Sequence, residues 1–233
     1  MVYAVIKRII DIFISLISLI IFSPFLLIVM LVLKCTGEGE VFYLQERVGL
    51  DNRKFVIFKF TTMRKNSEQE GGITYTGDPR VLPVGRFLRK TKINELPQLF
   101  NMLKGDISIV GPRPLMEDGF VEDGFAQYPR EIKENIYLNN KPGLTGLGSL
   151  FFRDEERFLS QKPKQAKSIY ANKIMPVKGK LELWYKEHKN IWIDLKIIVL
   201  TAISIFFPQN TLHIKAFKGM SAQLIKDYLQ LAG

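Results

Sequence analysis

From Ile9 to Leu33 the chain is nearly all Ile, Leu, Phe and Val, and Asp11 is the only charge in that run. No other feature constrains the fold as strongly. Ile12 to Leu33 is 22 residues, or ~33 Å as a straight helix at ~1.5 Å per residue. That length is enough to span the hydrocarbon core of a bilayer. A cleaved signal peptide is disfavoured, because its apolar region would be only ~7–15 residues and would end at a small-residue cleavage site. Leu33 runs instead into Lys34-Cys35-Thr36-Gly37.

Two details complicate a plain span. Ser23-Pro24 sits in the middle of the run, where proline removes a backbone donor and kinks a helix. The Ser23 hydroxyl can bond a freed carbonyl. Basic residues flank both ends, Lys7 and Arg8 before and Lys34 after, and the positive-inside tendency keeps both in the cytoplasm. A helix that bends at Ser23-Pro24 and returns to the same leaflet satisfies these facts. An ordinary kinked transmembrane helix is the alternative, since proline is tolerated there.

The remainder is strongly basic: Lys and Arg total 33 against 23 Asp and Glu, a net charge of +10. Such a balance suits nucleic acid, anionic lipid or a phosphorylated substrate. Nucleic acid is disfavoured by the apolar terminus and by the lack of a recognisable reading module. The single cysteine, Cys35, rules out an internal disulfide and fits a reducing compartment.

Along the chain, Phe42–Gln45 and Phe55–Phe58 are β-prone, and Gly49-Leu50-Asp51-Asn52 between them reads as a hairpin turn. Residues 64–80 read as a polar loop. A basic stretch follows, with Arg80, Arg86, Arg89, Lys90 and Lys92. Asn94 to Met102 reads as a helix. Gly105–Pro114 reads as irregular turn, 119–139 as helical and loop segments, and 142–146 as a tight turn. Residues 191–207 are apolar but carry Asp194 and Lys196, which makes a poor span and predicts an amphipathic helix in the membrane surface, with a buried core helix as the alternative.

The stretch 94–114 carries the chemistry. Asn94 is a good N-cap type, and Pro97 falls where a first-turn N–H is dispensable. A helix starting there would aim free N–H groups and partial positive charge outward, with Glu95 at its tip. Lys59, Arg86, Arg89 and Arg113 would add cations, and guanidinium groups bind phosphate in bidentate fashion. The competing reading is a solvated or lipid-facing basic surface. It accounts for any one arginine better than for the set.

On these residues the chain resembles the monotopic phosphoglycosyl transferases of the bacterial sugar transferase family. The resemblance covers nearly the whole chain. It runs through Lys7-Arg8-x-x-Asp11, Ser23-Pro24, Phe42-x-x-Gln45-x-Arg47-x-Gly49 and Lys59-Phe60-x-Thr62-Met63. It continues through Gly85–Lys90, Glu95-Leu96-Pro97-Gln98-Leu99, Lys104-Gly105-Asp106, Ser108-x-Val110-Gly111-Pro112-Arg113-Pro114 and Pro142-Gly143-Leu144-Thr145-Gly146. The resemblance implies an α+β protein with a re-entrant membrane helix bent at Ser23-Pro24, a mostly helical cytoplasmic domain, a small β-hairpin and interfacial amphipathic helices. The corresponding segments are residues 1–36, a catalytic domain at 37–210 and an amphipathic tail at 211–233.

The same resemblance implies transfer of a sugar 1-phosphate from a nucleotide-diphosphate sugar, usually a UDP-sugar, to polyprenyl phosphate with Mg²⁺, at the cytoplasmic face of the bacterial inner membrane. Substrate-binding candidates are Lys59, Arg80, Arg86, Arg89, Arg113 and Arg153. Asn94 and Glu95 are the catalytic and metal candidates. Membrane lipid is an expected partner, a homodimer is an open expectation, and nucleic acid is not expected.

One departure matters most. The family's nucleophilic Asp corresponds to Asn94, and a carboxamide is a poor nucleophile and a weaker Mg²⁺ ligand than a carboxylate. Three readings stand. A natural subgroup would use Glu95 as nucleophile or direct attack by the lipid phosphate. An introduced change would trap the enzyme before chemistry. A natural non-catalytic protein would bind nucleotide sugar or lipid without turnover. Thr61, where Arg is usual, and the unusual run Leu147–Glu156 favour a natural subgroup. Arg153-Asp154-Glu155 reads either as a nucleotide or sugar contact or as a surface ion-pair run.

Overall fold

The computed structural model describes residues 2–36, 38–67, 77–116, 128–160, 165–207 and 210–217, with Met220, Leu224 and Tyr228 beyond them. Parts of the expected polar loop at 64–80, of the segment 119–139 and of the tail 211–233 lie outside the described residues. The architecture is helix-rich with two small strand pairs.

Helix α1, Val2–Cys35, is 34 residues long and passes without interruption through Pro24. Ser23 Oγ donates to the Ile20 carbonyl at 2.8 Å. Length and composition suffice for α1 to cross a membrane. Most of its large apolar side chains are exposed, among them Ile9, Phe13, Ile20, Ile21, Leu27 and Leu31.

The polar residues of α1 dock it to the rest of the chain. Asp11 is buried, and its Oδ1 accepts from Ser108 Oγ and Ile109 N, both at 3.0 Å. Arg8 forks onto the Met102 and Leu103 carbonyls at 2.6 Å, where helix α3 (Gln98–Lys104) ends. A cation suits helix-terminal carbonyls. Lys7 pairs with Asp194 at 2.6 Å. The basic flank that suggested membrane orientation therefore also joins α1 to the rest of the chain.

Strands β1 (Phe42–Val48) and β2 (Lys54–Phe60) form the expected hairpin, in register from Phe42↔Phe60 to Val48↔Lys54. The turn works because Asp51 and Asn52 both take left-handed backbone, φ 53° and 60°, which these residue types tolerate. The Asn101 side chain on α3 clips onto β2, accepting from Phe58 N at 2.9 Å and donating to the Val56 carbonyl at 2.6 Å.

The two Gly/Pro-rich segments are more ordered than the sequence suggests. Strands β3 (Ser108–Val110) and β4 (Gly143–Thr145) pair in parallel. Gly143, read as part of a tight turn, is a strand residue instead. It has no side chain because none fits: a Cβ there would lie 2.1 Å from Gly111 N. These glycines serve close backbone approach.

Behind this pair stand α5 (Leu147–Phe151), α8 (Met175–His188) and α9 (Ile191–Phe206). Helix α9 is capped by Asn190 Oδ1, which accepts from Trp192 N and Ile193 N at 3.0 and 3.1 Å. One face of α9 buries Asp194, Ile197 and Leu200. Among its other apolar residues, Trp192, Leu195, Val199, Ile205 and Phe206 are exposed. The remaining short helices are α2 (Pro83–Lys90), α4 (Arg130–Asn135), α6 (Glu155–Ser160), α7 (Ala166–Ile169) and α10 (Leu212–Ala216). His213, Phe217 and Tyr228 pack around Phe151.

Candidate active site

The site centres on the turn between α2 and α3. The sequence places a helix start at Asn94; the structure places it at Gln98, after an N-cap at Pro97. Pro97 has no N–H for the Ile93 carbonyl, so the i→i−4 ladder cannot run through this position. The turn closes with shorter steps instead, Glu95 N to Lys92 O and Leu96 N to Ile93 O, giving a 3₁₀ turn over Ile93–Glu95. Lys92 enters it with left-handed backbone, φ 60°. Asn94 does not cap: its side chain is buried, with Oδ1 unpartnered among the described residues.

Beside it lies Glu95, half-buried. Burial alone would raise its carboxyl, but the charges of Arg113, Lys59, Lys92 and Arg89 outweigh that and hold it below the ordinary value. Four separate pieces of chain supply those cations: Arg113 follows β3, Lys59 stands near the end of β2, Lys92 lies in the turn and Arg89 sits on α2. Three of them are predicted binding residues that the fold brings together. Lys92 was only part of a basic stretch, and its left-handed position left no readable signal. Arg86 lies three residues before Arg89, one turn back on α2, and is exposed.

Two other candidates have local work. Arg80 is buried against Asp78, Nη2 to Oδ2 at 2.7 Å, and also donates to the Ser67 carbonyl. Arg153 donates to Ser204 Oγ on α9 and to the Asn210 carbonyl, both at 2.5 Å, and reaches Asp154 at 3.3 Å. Arg153 thus ties the end of α5 to the segment after α9, and its guanidinium is engaged there. Thr61 Oγ1, two residues from Lys59, is buried without a partner among the described residues.

Among the described residues no three His, Cys, Asp or Glu cluster as a metal cage. Mg²⁺ does not need one, because it binds through one or two protein oxygens plus substrate phosphates. The pair present fits that pattern: an orphaned buried carbonyl oxygen on Asn94 and an ionised carboxylate on Glu95.

Glu95, held ionised by four cations, is carried on a chain whose first helix is long and apolar enough to cross a membrane. The chain belongs to the bacterial sugar transferase family, which matches residues 2–208. It is 37% identical over 204 residues to the UDP-N-acetylgalactosamine-undecaprenyl-phosphate N-acetylgalactosaminephosphotransferase of Aeromonas hydrophila, covering 86% of this chain and 43% of that protein. It is 36% identical over 210 residues to the UDP-glucose:undecaprenyl-phosphate glucose-1-phosphate transferase of Klebsiella pneumoniae, covering 88% and 41%. The exopolysaccharide production protein ExoY of Sinorhizobium fredii is 36% identical over 172 residues, 66% of this chain and 73% of that one. The chain therefore spans less than half the length of the first two.

Proposed function

We propose that this protein transfers a sugar 1-phosphate from a nucleotide-diphosphate sugar, of the UDP type, to polyprenyl phosphate. The products are polyprenyl-diphosphate-sugar and UMP, and the step initiates glycoconjugate assembly. The names of the relatives support the reaction class. The observation that carries it here is Glu95, kept ionised by Arg113, Lys59, Lys92 and Arg89.

In this reading Glu95 is the nucleophile, since Asn94 has no charge to attack with. A carboxylate oxygen of Glu95 bonds to the sugar-bearing phosphorus as that phosphorus parts from the bridging oxygen, which leaves with UMP. An oxygen of polyprenyl phosphate then bonds to the same phosphorus and frees the carboxylate. Two easier displacements replace one. The cations neutralise the diphosphate, which lets an anionic nucleophile approach. Asn94 Oδ1 and Glu95 would hold Mg²⁺, which would supply further charge neutralisation on the phosphates.

The membrane path proposed for α1 is re-entrant, at the cytoplasmic face of the bacterial inner membrane. Asp11 near one end of α1 and Leu33 near the other are both buried, and Leu19, Leu26, Val29 and Leu33 join the same apolar cluster as Leu99 and Met102. A bend at Ser23-Pro24 within this continuous helix would let both halves reach that cluster. The exposed apolar side of α9 would lie in the same interface.

The test is intact-mass measurement after incubation with a panel of UDP-sugars, with UMP release followed in the presence of polyprenyl phosphate and Mg²⁺. A phosphosugar adduct mapping to Glu95 is the expected result. UMP release without an adduct would leave direct attack by the lipid phosphate, and no release across the panel would sink the transferase reading. Particle mass in detergent decides the homodimer.

A further inference from the structure

Arg113 is exposed, yet the backbone that carries it is held from several sides. Pro112 and Pro114 on either side lack N–H groups and have fixed φ, so the turn cannot brace itself with a hydrogen-bond ladder. Its bonds come from elsewhere. Gly111 N donates to Thr145 O and Gly143 N to Pro112 O, both at 2.9 Å. Arg47 Nη1 donates to the Pro114 carbonyl at 3.2 Å, and Val48 N to Leu115 O at 2.8 Å.

Two more bonds come from one side chain. The Tyr137 hydroxyl donates to the Arg113 carbonyl at 2.5 Å and accepts from Leu115 N at 3.1 Å. Tyr137 is fully buried, just past α4. Burial pushes its phenol up, against the Leu115 N–H bond, with Glu182 adding to the rise and Arg47 and Arg113 opposing it, so it keeps the proton it donates. Its own carbonyl accepts from Asp51 N at 3.0 Å, while Asp51 Oδ1 accepts from Asn139 N at 2.8 Å. Asp51 sits in the hairpin turn. One buried tyrosine thus latches both the hairpin that carries Lys59 and the turn that carries Arg113.

We infer that Tyr137 is a positioning residue for phosphoryl transfer: its hydroxyl fixes the Arg113 turn so that the guanidinium faces Glu95. The inference rests on the proposed reaction. The backbone sets where the long Arg113 side chain starts, so fixing that backbone aims the guanidinium. An error of about 1 Å in such a group can cost on the order of 100-fold in rate.

The test is a double-mutant cycle on the full chain in membranes, using a UDP-sugar that wild type turns over. Tyr137→Phe should lower kcat roughly 10- to 100-fold with little change in donor KM. In the Arg113→Ala background the same change should have less than about a twofold further effect. Equal losses in both backgrounds, or a loss confined to KM, would overturn the inference, because a merely structural tyrosine acts whether or not Arg113 is present. If Tyr137→Phe does not fold, amide exchange on wild type decides. Leu115 N–H should be strongly protected, and rapid exchange there overturns the clamp. A wild-type chain with no turnover on any donor refutes the proposed reaction instead, and the same exchange measurement still judges the clamp.

Discussion

Glu95 and Glu182 place the same side chain in opposite surroundings. Glu95 is half-buried in the 3₁₀ turn. Burial would raise it, but four cations more than offset that. Glu182 is 2% exposed on α8, and burial pushes its carboxyl from 4.5 up to about 8, against the Gly148 N–H bond and Lys178. Lys178 is itself paired with Glu155 at 2.6 Å. The first carboxyl is kept charged and reachable. The second is kept neutral, with Oε1 accepting from Gly148 N at 2.9 Å at the start of α5 and Oε2 unpartnered among the described residues. Charge is retained where a phosphate would be handled and given up where a helix is being supported.

The comparison breaks most visibly at Glu95. Glu95→Gln keeps size and hydrogen bonding but removes the charge and the nucleophile. UMP release should fall on the order of 10³-fold or more, with the thermal midpoint near that of wild type. Turnover close to wild type would remove Glu95 from the chemistry and leave its four cations without a purpose in catalysis.

Next in size is the cation ring. Arg113→Ala should lower kcat on the order of 10²-fold. It should also move the acid limb of the rate profile. The folded pKa of Glu95 is depressed, so its charge is present at higher pH and lost as pH falls through that value. Removing Arg113 raises the value, and activity should then fail at a higher pH than in wild type. An acid limb that stays in place would show that Arg113 does not act on Glu95.

These residues also show how much the sequence reveals. The long first helix was legible because a charge-free apolar run of that length has few other structures open to it. The hairpin was legible because Gly49–Asn52 supplies turn chemistry between two β-prone segments. Lys59, Arg89 and Arg113 were legible as basic residues, but their convergence on Glu95 is tertiary, arriving from β2, α2 and the turn after β3. Arg80 looked equivalent to them, although its buried partner Asp78 stands only two residues away. Strands β3 and β4 are three residues each, too short to show a period of two. Tyr137 carried no signal, because what matters about it is a hydroxyl placed 24 residues from the carbonyl it binds.

A smaller effect separates Asn94 from Glu95. If the orphaned Oδ1 is a Mg²⁺ ligand, Asn94→Ala should raise the Mg²⁺ needed for half-maximal turnover by about tenfold and leave rates at saturating Mg²⁺ closer to wild type. An unchanged Mg²⁺ dependence would assign that oxygen to substrate instead.

The smallest effect on activity belongs to Glu182, where the comparison is tested by stability. Glu182→Gln replaces a protonated carboxyl by its uncharged near-isostere, so UMP release at neutral pH should stay within about twofold of wild type. The pH dependence should change. The folded value, about 8, lies above the ordinary 4.5. The group's contribution to stability is therefore fully present below 4.5 and lost as pH rises through 8. Across that window the unfolded chain releases a proton that the folded chain keeps, which removes up to about 1.4 kcal/mol of stability per pH unit. Glutamine does not titrate in either state. Thermal midpoints of the two proteins should lie closest near pH 5 and differ most near pH 8, with the variant more stable at the alkaline end. Parallel curves over that range would mean that Glu182 is ionised in the folded protein, and the contrast with Glu95 would then be one of location rather than of charge.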